Sequence, residues 1–224
     1  MSLPDIRANV GWLNLRLAAA CQRAGRAVSE VTLVAVTKNI EVSAIREAHQ
    51  AGLRHFGENR VQEGLAKFPQ LTNLDPPPVR HLIGHLQSNK IKSALENFDI
   101  IHSLDSVELA EKISRRCHQP YPILLEVNIG GESSKSGFAP GSVFEAFKQI
   151  SCLPNLEIRG LMTVAPVFRN VEDVRPVFRM LRELRDKLGL QELSMGMSDD
   201  FEIAIEEGAT LVRIGRAIFG ERTG

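Results

Sequence analysis

Eight short apolar runs alternate with amphipathic segments along this chain, and that alternation limits the fold more than any other feature. The strand candidates are Thr32–Thr37, His55–Glu58, His81–Leu86, Ile100–Leu104, Ile123–Ile129, Ile158–Val164, Leu193–Met197 and Leu211–Ile214. Helix-like stretches such as Val42–Ala51, Ser106–Arg116, Val143–Ile150, Val171–Leu188 and Asp199–Glu207 fall between them. Alternating strands and helices imply parallel strands, because parallel neighbours need crossover connections. Runs such as "TLVAV" and "ILLEV" suit strands covered on both faces. Eight such units close naturally into a (β/α)8 barrel, an α/β fold of about 250 residues, and the chain has 224. A doubly wound open sheet competes, but no Gly-x-Gly-x-x-Gly follows the first strand. Before the first strand, Ile6, Val10, Leu13, Leu17 and Ala20 recur at helical spacing, between Pro4 as a start signal and Gly25 as a stop. The proline-rich "DPPPV", from Asp75 to Val79, reads as a loop within the domain. With no internal repeat or linker, residues 1–224 are expected to form one domain.

Charge excludes several classes of partner. Lysine plus arginine equals aspartate plus glutamate at 27 each, so nothing predicts an electrostatic grip on nucleic acid or on an anionic membrane. Any anion site must be local. Cys21, Cys117 and Cys152 lie far apart without a Cys-x-x-Cys pair, which points to reduced, packing thiols rather than a disulfide or zinc framework. Charged and amide residues interrupt the region before Cys21, and no run has the length of a membrane span. A soluble, cytoplasmic protein is expected.

The first strand, "TLVAVTKN", ends in Lys38. Active sites of barrels lie at the carboxyl ends of the strands, which would put this ammonium at the mouth. Taken alone, it is as readily a lysine reaching into solvent. The last two units add to the picture. Phosphate sites in barrels frequently use the loops after strands seven and eight together with a short helix start. Here Ser198 follows the seventh strand, placed to cap the next helix. Arg213 stands in the eighth strand, and Gly215 and Arg216 follow it. Asp199 and Asp200 suit a helix start but would repel a phosphate. A lysine and a phosphate cup at one rim fit a ligand with both a carbonyl and a phosphate, as in pyridoxal 5′-phosphate.

The segments "LVAVTKN", "HFGENRVQE", "HLIGHLQSNK", "GLMTVAP", "SMGMSDDFEIAIEEGAT" and "VRIGRAIFGER" resemble, in order, successive blocks of the pyridoxal phosphate homeostasis protein family, and they span Leu33 to Arg222. The resemblance implies a fold-type III barrel akin to the N-terminal domain of alanine racemase, which carries pyridoxal 5′-phosphate as a covalent imine on Lys38. It also implies that Arg213 faces the pyridine nitrogen and that Ser198, Gly215 and Arg216 hold the phosphate. Asn59, His85 and Met162 would line the ring pocket. Arg216 departs from the pattern, since many members carry a small hydroxyl residue there, and Asp199 is more acidic than its position leads one to expect.

Two other motifs carry no chemistry. "GGESSKSGF" places Lys135 before Gly137, against the order a Walker loop needs, and the family has a similar rim segment. His81 and His85 have zincin-like spacing, but four strand residues put them about 13 Å apart; no metal is expected. Arginine donates hydrogen bonds and accepts none, so at the pyridine nitrogen it would leave the cofactor a poor electron sink. The single tyrosine, Tyr121, stands at the start of the fifth strand, away from the mouth, where a two-base racemase cannot use it. The sequence therefore favours a monomeric binding protein that buffers and delivers the cofactor over a racemase-like enzyme of low activity. A phosphometabolite enzyme on the same barrel is a third reading. Which apoenzymes receive the cofactor, if any, the sequence leaves open.

Overall fold

The computed structural model describes residues 5–132 and 136–220. Its frame is a closed barrel of eight parallel strands in sequence order. The strands are β1 (Thr32–Val36), β2 (His55–Glu58), β3 (Val79–Leu82), β4 (Ile100–Leu104), β5 (Tyr121–Glu126), β6 (Leu156–Met162), β7 (Glu192–Ser194) and β8 (Leu211–Ile214). Around them lie α1 (Ile6–Arg23), α2 (Val42–Gln50), α3 (Val61–Lys67), α4 (Ile91–Asn97), α5 (Val107–Ser114), α6 (Val143–Ser151), α7 (Arg175–Leu188), α8 (Phe201–Glu206) and α9 (Arg216–Phe219). Lys135, the proline expected to start the first helix (Pro4) and the final "ER" of the last block (Glu221, Arg222) lie outside the described residues.

The period-two alternation of each strand divides the apolar residues between two layers. Ala35, Phe56, Ile101, Leu125, Leu161 and Val212 point to the helices and join the large outer core. Val34, Ile100, Leu124, Met162 and Leu211 form a smaller cluster of their own within the barrel, the layered filling expected of this fold. Helix α1 starts at Asp5, whose carboxylate accepts the Ala8 N–H at 2.9 Å, an N-cap that satisfies an otherwise orphaned donor. Its stripe Ile6, Val10, Leu13, Leu17, Ala20 and Cys21 is buried against α2, α8 and α9, so it covers the outside of the β8–β1 seam.

Several expected boundaries shift. The third strand ends at Leu82 rather than Leu86, so His85 sits in the loop beyond it, and β5 ends at Glu126. The expected helix over Val171–Leu188 begins as a 3-10 turn, Val171–Val174, and becomes α-helical at Arg175, next to Pro176. Helices α3 and α4 are seven residues each, about two turns and shorter than the window in which helical periodicity can be read. Cys21 and Cys117 are buried, Cys152 is exposed, and all three are free thiols. Among the described residues no helix is long and apolar enough to cross a membrane.

One close approach sets the β6–β7 spacing. A Cβ at Gly160 would lie 1.9 Å from the Glu192 carbonyl oxygen, and neither strand can yield without breaking its ladder. Gly160→Ala should therefore cost roughly 3 kcal/mol or more of stability. Urea unfolding followed by circular dichroism checks this.

Candidate functional site at the carboxyl end of the barrel

Strand β1 ends at Val36, and the next three residues form a turn pinned by charges from β2 and α3. Thr37 donates its hydroxyl to Glu58 Oε1 at 2.7 Å and its backbone N–H to the Gly57 carbonyl at 2.9 Å. Lys67 Nζ donates to the Thr37 carbonyl at 2.7 Å, to Glu58 Oε1 at 2.8 Å and to Glu63 Oε2 at 3.1 Å. Glu63 Oε2 also accepts the Asn39 N–H at 2.9 Å, and Asn39 adopts a left-handed φ of 58°. Burial raises the Glu58 carboxyl above its ordinary range, countered by Lys67 and Thr37. Burial also raises Glu63, but the bonds from Asn39 and Lys67 outweigh it and leave that group below its usual value. The residue held between these anchors is Lys38, half-buried, with no hydrogen-bond or ion-pair partner among the described residues. The sequence showed the lysine and not its clamp. Nothing in the sequence links Glu58, Glu63 and Lys67, and only the fold of β2 and α3 brings them together.

On the other side of β1 lies a cavity of about 460 Å³ lined by Val36, Met197, Ser198, Asp199, Arg213, Gly215 and Arg216. Ser198 does not cap α8 as its sequence position suggests. Asp200 is the cap residue, and its carboxylate accepts the Met197 N–H. That tight turn begins the helix two residues later than expected and frees Ser198 to face α9, where its hydroxyl accepts the Ala217 N–H at 3.4 Å. Arg216 forms an ion pair with Asp199 across the cavity, so the acidic residue that would repel an anion is matched by the unexpected arginine. Gly215 is the cap residue of α9.

Arg213 forms the floor. It is 4% exposed, donates Nη1 to Ser194 Oγ at 2.7 Å and donates Nη2 to the Thr163 carbonyl at 2.8 Å. Burial pushes it down to about 10, against the attraction of Asp200 and Glu126. Among the described residues no carboxylate hydrogen-bonds it; the cation is held by neutral acceptors. Beneath it a file of polar side chains crosses the barrel interior beside the inner apolar cluster. His102 Nδ1 lies 2.9 Å from Ser194 Oγ, His81 Nδ1 2.8 Å from His102 Nε2, and His55 Nδ1 3.0 Å from His81 Nε2. Burial forces His81 down to about 3, holds His102 well below the ordinary imidazole value and lowers His55. Met162, 1% exposed, closes β6 within the inner apolar cluster and lines neither mouth cavity.

A second cavity of about 560 Å³ opens beyond β2, lined by residues including Asn59, Arg60, Glu63, His85 and Lys90. Asn59 Oδ1 is buried there without a hydrogen-bond partner, an acceptor at odds with the usual pairing of buried polar atoms. His85 is exposed and its Nδ1 lies 2.9 Å from Asp105 Oδ2. Glu126, at the end of β5, is a mouth residue that the sequence did not single out; burial raises it, and Arg213 and His85 oppose that. Tyr121 donates its hydroxyl to the Phe98 carbonyl at 2.7 Å at the opposite end of the barrel, as the sequence implies. Among the described residues no group of three or more histidines, cysteines or carboxylates can hold a metal ion.

Two outcomes follow. Lys67→Met leaves Glu58 buried without its cation, which should cost on the order of 3 kcal/mol at neutral pH. The deficit should shrink as pH is lowered, because a Glu58 carboxyl raised by burial takes up its proton early and then needs no cation; paired urea titrations measure it. The three histidines bind protons more weakly folded than unfolded, so stability should fall as pH drops below about 6.5. For His81 the loss continues down to about 3. His102→Gln should flatten that slope in a denaturation series over pH.

Comparison with known proteins places this arrangement. The profile of the family described as "Alanine racemase, N-terminal domain" matches residues 15–223. A protein of Aquifex aeolicus named pyridoxal phosphate homeostasis protein is 48% identical, covering 92% of this chain and 94% of its own. A solved structure from Bifidobacterium adolescentis, described as an unknown protein, superposes with a TM-score of 0.90 at 39% identity, covering 97% of this chain and 98% of its own. The structure of PipY of Synechococcus elongatus PCC7942 with PLP bound superposes with a TM-score of 0.81 at 41% identity, covering 92% and 99%. By fold, by length and by sequence, the chain belongs to the pyridoxal phosphate homeostasis proteins, within the alanine racemase N-terminal domain family.

Proposed function

We infer that this protein binds pyridoxal 5′-phosphate at the mouth and takes part in its intracellular homeostasis, holding and delivering the cofactor as a cytoplasmic monomer rather than transforming a substrate. One observation carries the reading. Lys38 has no partner among the described residues while its turn is fixed on both sides, so the amine is presented and not spent. When bound, pyridoxal phosphate supplies an aldehyde that condenses with a primary amine, and a phosphate dianion. In this reading Lys38 provides the amine. Ser198, Gly215 and Arg216 hold the phosphate, with Arg216 contributing its backbone amide because its guanidinium is engaged by Asp199. Arg213 faces the ring nitrogen as a donor that accepts no proton. Asn59 and His85, which line the cavity beyond β2, flank the ring in this reading, whereas Met162 lies buried in the inner cluster below it; the unpartnered Asn59 oxygen supports a polar ligand group there.

A weak racemase-like activity is the second reading, favoured by the His85–Asp105 pair at the same rim, which resembles an acid–base couple. The placement of Tyr121 supports the carrier instead.

The visible spectrum of the purified protein, followed by borohydride reduction and peptide mapping, tests the assignment. The expected adduct is on Lys38, and Lys38→Ala should lose the violet absorbance with its fold intact. Unchanged absorbance in that variant would rule Lys38 out. Arg213→Gln should still form the adduct but bind it several-fold more weakly or shift its band.

A further inference from the structure

The interior of the barrel carries a feature that neither holding nor releasing a cofactor requires. From Arg213 at the mouth, Ser194, His102, His81 and His55 run through the core as one hydrogen-bonded file with contacts of 2.7, 2.9, 2.8 and 3.0 Å. The file ends at a separate cavity of about 440 Å³ at the amino end of the barrel, whose lining includes His55 and His81. His81, His102 and Ser194 are at most 2% exposed, whereas His55 is partly exposed.

Hydrogen-bond chemistry gives such a file a single direction. A neutral imidazole donates from one ring nitrogen and accepts at the other, and Arg213 can only donate to Ser194. Ser194 has no further side-chain partner among the described residues, so its O–H is best used on His102 Nδ1. That choice makes His102 and His81 Nε2–H tautomers, each donating towards the amino end, with His55 Nε2–H directed to the lower cavity. A proton on His55 cannot coexist with this order, because His55 Nδ1 would then have to donate to His81. The order must reverse: His81 and His102 exchange Nε2–H for Nδ1–H, and His102 donates to Ser194. Ser194 keeps its own proton but must turn it to another acceptor, and the file as a whole gains one proton from water.

We propose that His55, His81, His102 and Ser194 form a tautomer relay that positions Arg213 and makes its setting depend on the proton occupancy of His55 at the opposite end of the barrel. The groups that set this occupancy all surround the lower cavity. Glu30 is bonded to Arg26, and Asp99 is bonded to Arg80. Arg159 pairs with Glu157. Glu192 keeps one buried oxygen without a partner, and His81 lies next in the file. At the upper end Arg213 is faced by Asp200 and Glu126. Burial lowers His55, so the reversal belongs on the acid side of the ordinary imidazole range. Ser194 and His102 are positioning residues. Their effect on a bound pyridoxal ring rests on the reading of Arg213 given above, whereas the relay itself does not.

Long-range proton–nitrogen NMR of the full chain, without added pyridoxal phosphate, reads tautomers directly. From about pH 8 down through the acid limb on which His55 titrates, His81 and His102 should pass from Nε2–H to Nδ1–H patterns with the same midpoint as His55. In His55→Gln that shared transition should vanish. Fixed tautomers at His81 and His102 while His55 titrates would overturn the relay, as would an unchanged transition in the variant. A second arm adds pyridoxal phosphate. Ser194→Ala should keep the Lys38 adduct but remove the pH dependence of its band over the same pH range. Failure of the adduct to form on Lys38 in the wild type would count against the cofactor site alone, because the tautomer measurement stands without it.

Discussion

Strand β1 is hydrogen-bonded on both sides, to β2 and to β8, and the functional end of the molecule depends on that double pairing. Without the β1–β8 ladder the sheet would be open, and the loops after the first and the last two strands would lie at opposite edges. Closure makes them neighbours. The Lys38 turn then stands between a cavity formed by the final two units and another formed by the second and third. Helix α1 packs outside this seam, where Arg23 reaches Glu206 and Glu202 at 2.7 Å and Asn9 donates to the Ile218 carbonyl at 2.9 Å.

Charges in this protein are buried in two different ways. Around Lys38 they compensate one another: Glu58 Oε1 accepts from both Lys67 and Thr37 while Oε2 stays buried without a partner among the described residues, and breaking either contact exposes a cost greater than the pair's own net contribution. Glu207 follows the same rule on the outside, where Arg175, Arg179 and Arg182 surround its carboxylate at 3.3, 2.9 and 3.0 Å and tie α7 to the end of α8. Arg213 is held differently, by a hydroxyl and a carbonyl. A cation without a bonded counter-ion keeps more of its field for whatever lies above it, which fits a residue facing a ligand rather than a structural link.

The architecture was legible because eight strand-like runs recur, with helical periodicity in most of the intervals between them, and this leaves little freedom in the topology. Lys38, Ser198, Gly215 and Arg213 were legible as candidates because barrel function gathers at the carboxyl ends of strands. What stayed hidden has a common cause. Glu58 and Lys67 are nine residues apart, and His55, His81 and His102 each sit in a different strand. Their meaning arises only where chain segments converge. A histidine inside a barrel strand contradicts the expected apolar filling, so it reads as noise until its partners are seen. Ser198 was placed one function off, because a serine before a helix signals a cap and only the Asp200 turn shows otherwise.

The Arg216–Asp199 pair has a consequence for time rather than for affinity. A phosphate arriving at this cup meets a cation already engaged and a carboxylate beside it, so little long-range field draws it in. On leaving, it uncovers no stranded charge, since the two side chains close on each other again. Relative to a cup lined by unopposed cations, arrival at such a rim is slower, and departure leaves no uncompensated charge behind. If Lys38 holds the cofactor as proposed, what persists on the protein is then set by the lysine and not by the rim.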